Sequence, residues 1–303
     1  MGRSRKAAGN WATALFLGVP FWAVLAVGCT TSPVNHYNLG VDYQDKGKVL
    51  EAVREYRRAI ELNPTDPAPR FNLAVLYQDN GRLSEAKKEY DALLKGHPEY
   101  MPAWVNLASI QEKEGDVAAA EISLKRAAEA DRDSPVPLDQ RGFFLLRQGR
   151  VSEAQAAFQE CLRRDPKWPN GHFGLGLVAE RRGDPVKALG YYLQTLENNP
   201  MDMEAHLKAA GLYLSQGRRE EAVRHLRRAS ELGPTRGETF FSLGVLLWEE
   251  GKLRTAEEAF LRALQLGTRV PECHLKLSQI YERLALQERE AYERELMRSH
   301  SPR

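Results

Sequence analysis

From residue 33 to residue 270 the chain repeats one hydrophobic pattern without an insertion or deletion. The stretch Tyr37–Asp45 and its equivalents carry apolar residues at helical spacing, and so does Leu50–Leu62. That spacing lines one face of an α-helix and predicts two short helices in each unit. Glycine stands at 47, 81, 115, 149, 183, 217 and 251, and alanine at 52, 86, 120, 154, 188, 222 and 256. Each series steps by 34 residues. The glycine ends the first helix and permits a left-handed turn. Asn63-Pro64 stops the second helix of the first unit, since the residue before proline is driven out of the helical region.

With Pro33 as position one, position eight is always small: Gly40, Ala74, Ala108, Gly142, Gly176, Ala210, Gly244 and Ser278. Position twenty-four is always large and apolar: Tyr56, Tyr90, Leu124, Phe158, Tyr192, Leu226 and Phe260. Small residues let the paired helices approach, and large ones fill the space between pairs. One pair cannot bury its own apolar face, so neighbouring pairs must stack. This pattern resembles the tetratricopeptide repeat. The resemblance implies an all-α, right-handed α-solenoid of about seven 34-residue helix-turn-helix repeats plus a C-terminal capping helix. The repeats are 33–66, 67–100, 101–134, 135–168, 169–202, 203–236 and 237–270. A partial eighth repeat and cap occupy 271–298, and 299–303 form a tail. Position fifteen of the eighth unit is Ala285 instead of glycine, so its helix is expected to run on.

The amino-terminal stretch follows different rules. Arg3, Arg5 and Lys6 make a basic head, and residues 11–28 are apolar and uncharged. This reads as a secretory signal, although Pro20 interrupts a run just long enough to span a bilayer. Under either reading the residues after 28 lie outside the cytoplasm. Ala26-Val27-Gly28-Cys29 resembles a bacterial lipobox, with Ala26 where leucine is usual. That resemblance implies a signal peptide over 1–28, lipidation at Cys29 and a short linker over 29–32. Thr30 after the cysteine implies sorting to the outer membrane, facing the periplasm. The other reading is a chance cysteine after an ordinary signal or anchor.

Composition narrows the function classes. The formal net charge is +2 and becomes near neutral without the basic head, which argues against broad nucleic-acid binding. Three cysteines can form neither a disulfide framework nor a four-thiolate metal site. Phosphate loops, nucleophile elbows and HExxH are absent. Gly174-Leu175-Gly176 lies inside a repeat helix and reads as close packing. No enzyme activity, cofactor or metal is expected. His36, His172, His206 and His274 share position four, a packing slot. Cys161 and Cys273 fall in distant repeats and are expected to be free thiols. Arg141 sits in a leucine slot, either snorkelling or marking a distortion near Ser134–Pro137.

The resemblance places positions two, five, six, nine, twelve and thirteen near an inner wall. Tyr37, Phe71, Phe173 and Phe241 occupy position five, Phe143 position nine and Trp248 position twelve. Inter-repeat packing and a groove for a peptide or amphipathic helix both fit this strip. Asn38, Asn72 and Asn106 share position six; they form either a ladder for an extended peptide backbone or merely tolerated polar residues. The family's basic clamp for a terminal carboxylate is not matched at Tyr37 and Val41. The expected protein is an exported, membrane-anchored scaffold that binds a protein or peptide of an envelope complex. It is similar to the repeat lipoproteins of type IV pilus secretin assembly. The alternative is an accessory subunit of polysaccharide export or cell-wall synthesis.

Overall fold

The computed structural model describes residues 32–233 and 237–300, with side chains at 291 and 293–300 left aside. The signal segment and Cys29 therefore lie outside the described residues. Among the described residues there are fifteen helices and no strands. They form two compact units that meet in sequence at Ala130 and Asp131.

The first unit holds three hairpins: α1 (Pro33–Asp45) with α2 (Val49–Leu62), α3 (Pro67–Asp79) with α4 (Leu83–Gly96), and α5 (Met101–Lys113) with α6 (Val117–Ala130). The second unit holds four more. These are α7 (Val136–Arg147) with α8 (Val151–Arg164), α9 (Pro169–Arg181) with α10 (Pro185–Asn198), α11 (Met203–Ser215) with α12 (Arg219–Leu232), and α13 (Gly237–Glu249) with α14 (Leu253–Gln265). The unbroken α15 (Val270–His300) ends the described chain. It passes Ala285 without a turn, as the missing glycine predicts.

Each hairpin turn uses the same hydrogen bonds. Gly47 has φ +69°, and the Lys48 N–H donates to Tyr43 O at 2.8 Å, closing a Schellman motif. The six later glycines also have positive φ, and the same bond recurs from Arg82 to Tyr77 and from Lys252 to Leu247. Position sixteen then opens the second helix. Where it is aspartate it also caps: Asp116 accepts from Ala119 N and Asp184 from Lys187 N, both at 3.0 Å. First helices start on Ser32, Asp66 and Asp202, each accepting a backbone N–H with its side chain.

The small and large positions are complementary within a repeat. A Cβ at Gly40 would stand 2.5 Å from the Tyr56 ring, and one at Gly176 would stand 2.5 Å from the Tyr192 ring. The same ring position also serves the next repeat, because a Cβ at Gly174 would collide with Phe158. Position twenty-four therefore fills the space inside its own hairpin as well as the space between hairpins. Tyr56, Tyr90, Phe158, Tyr192 and Phe260 are all fully buried. Each such side chain contributes roughly 1.5–3 kcal/mol by burial.

Repeat four is locally rebuilt. Asp131 Oδ1 accepts from Asp133 N and Ser134 N, Ser134 Oγ accepts from Val136 N, and α7 starts one residue late. Arg164 Nη1 donates to the carbonyls of Ser134 (2.8 Å) and Asp131 (3.3 Å). Of the two readings of Arg141, the distortion near Ser134–Pro137 is present, and Arg141 lies half-buried beyond it. Cys161 and Cys273 are buried free thiols, as expected. Burial pushes the Cys161 thiol up to about 12.

Candidate partner-binding face

In each unit the first helices carry the side chains singled out from the sequence. The position-five rings rest on position twenty-four of their own repeat. Ring centroids are 6.1 Å apart for Tyr37 and Tyr56, 5.4 Å for Phe173 and Tyr192, and 5.7 Å for Phe241 and Phe260. Phe71 lies 6.0 Å from Tyr90 and 5.2 Å from Tyr100. Phe143, at position nine, meets Phe158 edge-on at 5.0 Å. All five are half-buried, so each packs on one side and leaves area open on the other. Such rings offer contact surface at low cost in side-chain entropy.

Repeat four departs from the strip. Asp139 is 1% exposed, and its carboxylate accepts from Trp168 Nε1 (2.6 Å), Asn170 Nδ2 (3.0 Å) and Gln140 Nε2 (3.1 Å). Burial raises its pKa, and these donors oppose the rise. Position five of repeat four is thus a satisfied internal carboxylate instead of a ring, which the spacing of apolar residues did not signal.

Two asparagines of the ladder are engaged within the fold. Asn106 Nδ2 donates to Tyr90 OH at 3.0 Å, and Tyr90 OH donates to Gln78 Oε1 at 3.2 Å. Asn72 Nδ2 donates to Tyr37 OH at 3.1 Å, and Tyr56 OH donates to Gln44 Oε1 at 2.8 Å. Through Tyr90, position six of the third repeat thus meets position twelve of the second, while Asn72 reaches Tyr37 in the repeat before it. Burial pushes the Tyr56 and Tyr90 phenols up to about 12. Asn38 has no preceding repeat to reach and is exposed. Lys208 and Glu180 meet in the same register at 2.8 Å. This link was missed from the sequence; its signal was the repeat frame combined with polar residues at positions six and twelve.

Two of the position-four histidines behave as the indole does at the same place, whereas His274 is exposed and departs from the packing slot. Trp104 Nε1 donates to Pro98 O at 2.8 Å, while His172 Nε2 lies 2.9 Å from Pro166 O and His206 Nε2 3.2 Å from Pro200 O. His36 pairs with Glu55 at 2.7 Å. His206 Nδ1 also lies 2.9 Å from His225 Nδ1, and the His225 ring stacks on Tyr213. Among the described residues no group of three or more His, Cys, Asp or Glu is placed to hold a metal. No described helix is long and apolar enough to cross a membrane.

Trp248 is half-buried against the core of the second unit, where Lys276 and Arg283 of α15 cover its ring. It therefore packs and also borders the open face.

Comparison with known proteins agrees with this architecture. The family model described as tetratricopeptide repeat matches residues 71–135, 145–202, 187–237 and 207–271, and a second, described as TPR repeat, matches 40–81. The type IV pilus assembly protein PilF of Pseudomonas aeruginosa is 27% identical over 143 residues, covering 46% of this chain and 57% of PilF. Cellulose synthase 2 operon protein C of Komagataeibacter xylinus is 35% identical over 97 residues, covering 32% of this chain and 7% of that protein. The chain thus spans little more than half of the first relative and a small part of the second. The solved structure of PilW, a type IV pilus biogenesis factor, superposes with a TM-score of 0.54 at 20% identity, over 71% of this chain and 98% of PilW. With more than half of its length matched and its helices paired in the same repeat, the chain belongs to the tetratricopeptide repeat family.

Proposed function

We propose that this protein is a membrane-tethered, exported scaffold that binds a partner protein on its first-helix face and assists an envelope complex of the type IV pilus or secretin kind. The observation that carries this reading is the row of half-buried rings on that face. Phe173, Phe241 and Trp248 are already ordered by packing, so a partner would gain contact area without ordering them. The similarity to PilF and PilW supports the pilus reading. In the first unit Asn38 is exposed, where it could meet a partner's backbone. The activity is binding, not catalysis.

The tether in this reading is Cys29, acylated at the end of the apolar run and holding the chain at the outer membrane. Several acyl chains on one residue anchor stably where one does not. Cys29→Ala is expected to abolish acyl labelling and release the protein from membranes. Unchanged labelling of that variant would remove the tether from the proposal.

The binding claim is tested by placing a photo-crosslinker at Phe173 in cells. A pilus or secretin component in the adduct, with fewer assembled complexes after Phe241→Ala and Trp248→Ala, is the expected result. An adduct with a polysaccharide-export or wall-synthesis component would favour the second reading, which the similarity to the cellulose synthase operon protein supports. Turnover of a substrate by the purified chain alone would overturn both.

A further inference from the structure

The register between positions six and twelve has a counter-charge in one place and lacks it in another. In repeats five and six, Lys208 Nζ lies 2.8 Å from Glu180 Oε2. In the first three repeats the register is neutral: Asn106 and Gln78 are joined through Tyr90, while Asn72 bonds Tyr37 and Gln44 bonds Tyr56. Two repeats beyond Lys208 and Glu180, the equivalent residues are Lys276 and Trp248. The lysine is kept and its carboxylate is replaced by an indole.

Lys276 Nζ lies 3.5 Å from the centroid of the Trp248 ring, and the Arg283 guanidinium lies 4.9 Å from it. Among the described residues neither cation forms an ion pair. Nearby Arg269 shows the contrast: it covers the Phe241 ring at 5.1 Å but is held by Glu238 at 2.9 Å. The buried Trp248 Nε1–H has no acceptor among the described residues. A cation over an aromatic face is held less strongly than one hydrogen-bonded to a carboxylate. An incoming carboxylate would therefore draw both cations and restore the pairing that Glu180 supplies two repeats earlier.

We infer that Trp248, Lys276 and Arg283 form a receptor for a carboxylate-bearing segment, so that the partner presents an acidic peptide to the end of the first-helix face. This rests on the reading of that face as the partner-binding surface and names the partner's chemistry there. The ring of Trp248 supplies an apolar floor, and the two cations supply the charge.

The test uses the full-length chain in detergent micelles. Two fluorescent peptides serve as probes, one alternating glutamate with leucine and phenylalanine, the other with glutamine at every glutamate. Each is made with a free and an amidated carboxyl terminus. The acidic peptide is expected to bind at least about ten-fold more tightly than its glutamine counterpart, with the preference weakening as salt is raised. A further tightening from the free terminus would place the terminal carboxylate in the receptor; equal affinity of free and amidated forms would place side-chain carboxylates there. Lys276→Gln and Arg283→Gln should each remove most of the preference. Trp248→Glu rebuilds the Glu180–Lys208 arrangement and should abolish it while helicity is kept. The Trp248 indole N–H signal, identified by its loss in Trp248→Phe, should shift with the acidic peptide only.

Equal affinity for both peptides, or a preference untouched by Lys276→Gln and Arg283→Gln, overturns the receptor. Binding of neither peptide also overturns it. The crosslink from Phe173 reads the broader proposal separately: if it forms in the Lys276→Gln, Arg283→Gln double variant, the binding face survives without the receptor.

Discussion

Tyr90 carries three tasks at once. Its ring is fully buried, its hydroxyl donates to Gln78, and the same oxygen accepts from Asn106 in the next repeat. Tyr90→Phe keeps the ring and leaves two polar partners short of a bond. A loss of about 1–2 kcal/mol in urea denaturation is expected, with little change in helicity. Gly176 is the complementary case. A Cβ there would press on the Tyr192 ring at 2.5 Å, so Gly176→Val should destabilise by about 1–3 kcal/mol through overpacking. A thermal midpoint equal to that of the parent chain would show that the ring can move aside. Both residues stood out in the sequence as members of the repeat frame. The frame shows which positions must be small or large, but not where a hydroxyl's hydrogen bonds go. Asn72 and Asn106 therefore looked equally suited to a peptide ladder until their partners were visible. Asp139 was hidden for a related reason: a carboxylate in an apolar slot reads as an intrusion until Trp168 and Asn170 are seen to enclose it.

Among the elements, the hairpin of α11 and α12 carries a buried histidine pair that should make it sensitive to acid. His206 donates from Nε2 to Pro200 O, which leaves its Nδ1 as acceptor for the Nδ1–H of His225. That arrangement requires His206 to be neutral, and burial disfavours charge on His225. Burial first, then the charges of His206 and Arg224, pull His225 down to about 4. His206 is lowered mainly by burial, and Arg228 adds to this, while Pro200 O and Asp202 oppose it. A histidine whose folded pKa is lowered binds protons more readily when unfolded. The stabilisation is thus complete above the unfolded value near 6.5 and declines as pH falls from there toward about 4. The chain should lose roughly 2 kcal/mol of stability between pH 7 and pH 5, read from urea midpoints. His225→Phe should flatten that slope. An unchanged slope would place the acid sensitivity elsewhere. The position-four slot was readable as packing, but its cross-helix partner was not: position twenty-three gives Glu55 to His36, Glu89 to Arg70 and His225 to His206, a register that only the packed hairpin brings together.

At the scale of the whole molecule, the end of the stack depends on α15. Cys273, Leu277 and Ile280 are buried in the core cluster of the second unit, whereas Leu286 and Tyr292 further along the same helix are 60% and 63% exposed. Only the first part of α15 therefore closes the core. Leu277→Ala with Ile280→Ala should cost about 4–8 kcal/mol in chemical denaturation, while Leu286→Ala should change stability by less than about 0.5 kcal/mol. A repeat array is stabilised by contacts between neighbours, so loss at one end should unfold the last hairpins first. The sequence alone determined the repeat length, the helix pairs, their glycine turns and the small and large packing positions. Each follows from local backbone preference and from a spacing that recurs without interruption. Only the tertiary structure decided which polar side chains are enclosed and which remain open. That choice depends on what the adjacent repeat presents: Lys208 finds Glu180, and Lys276 finds an indole. A repeat frame places both lysines identically, and the difference lies in the neighbour's side chain meeting them through space.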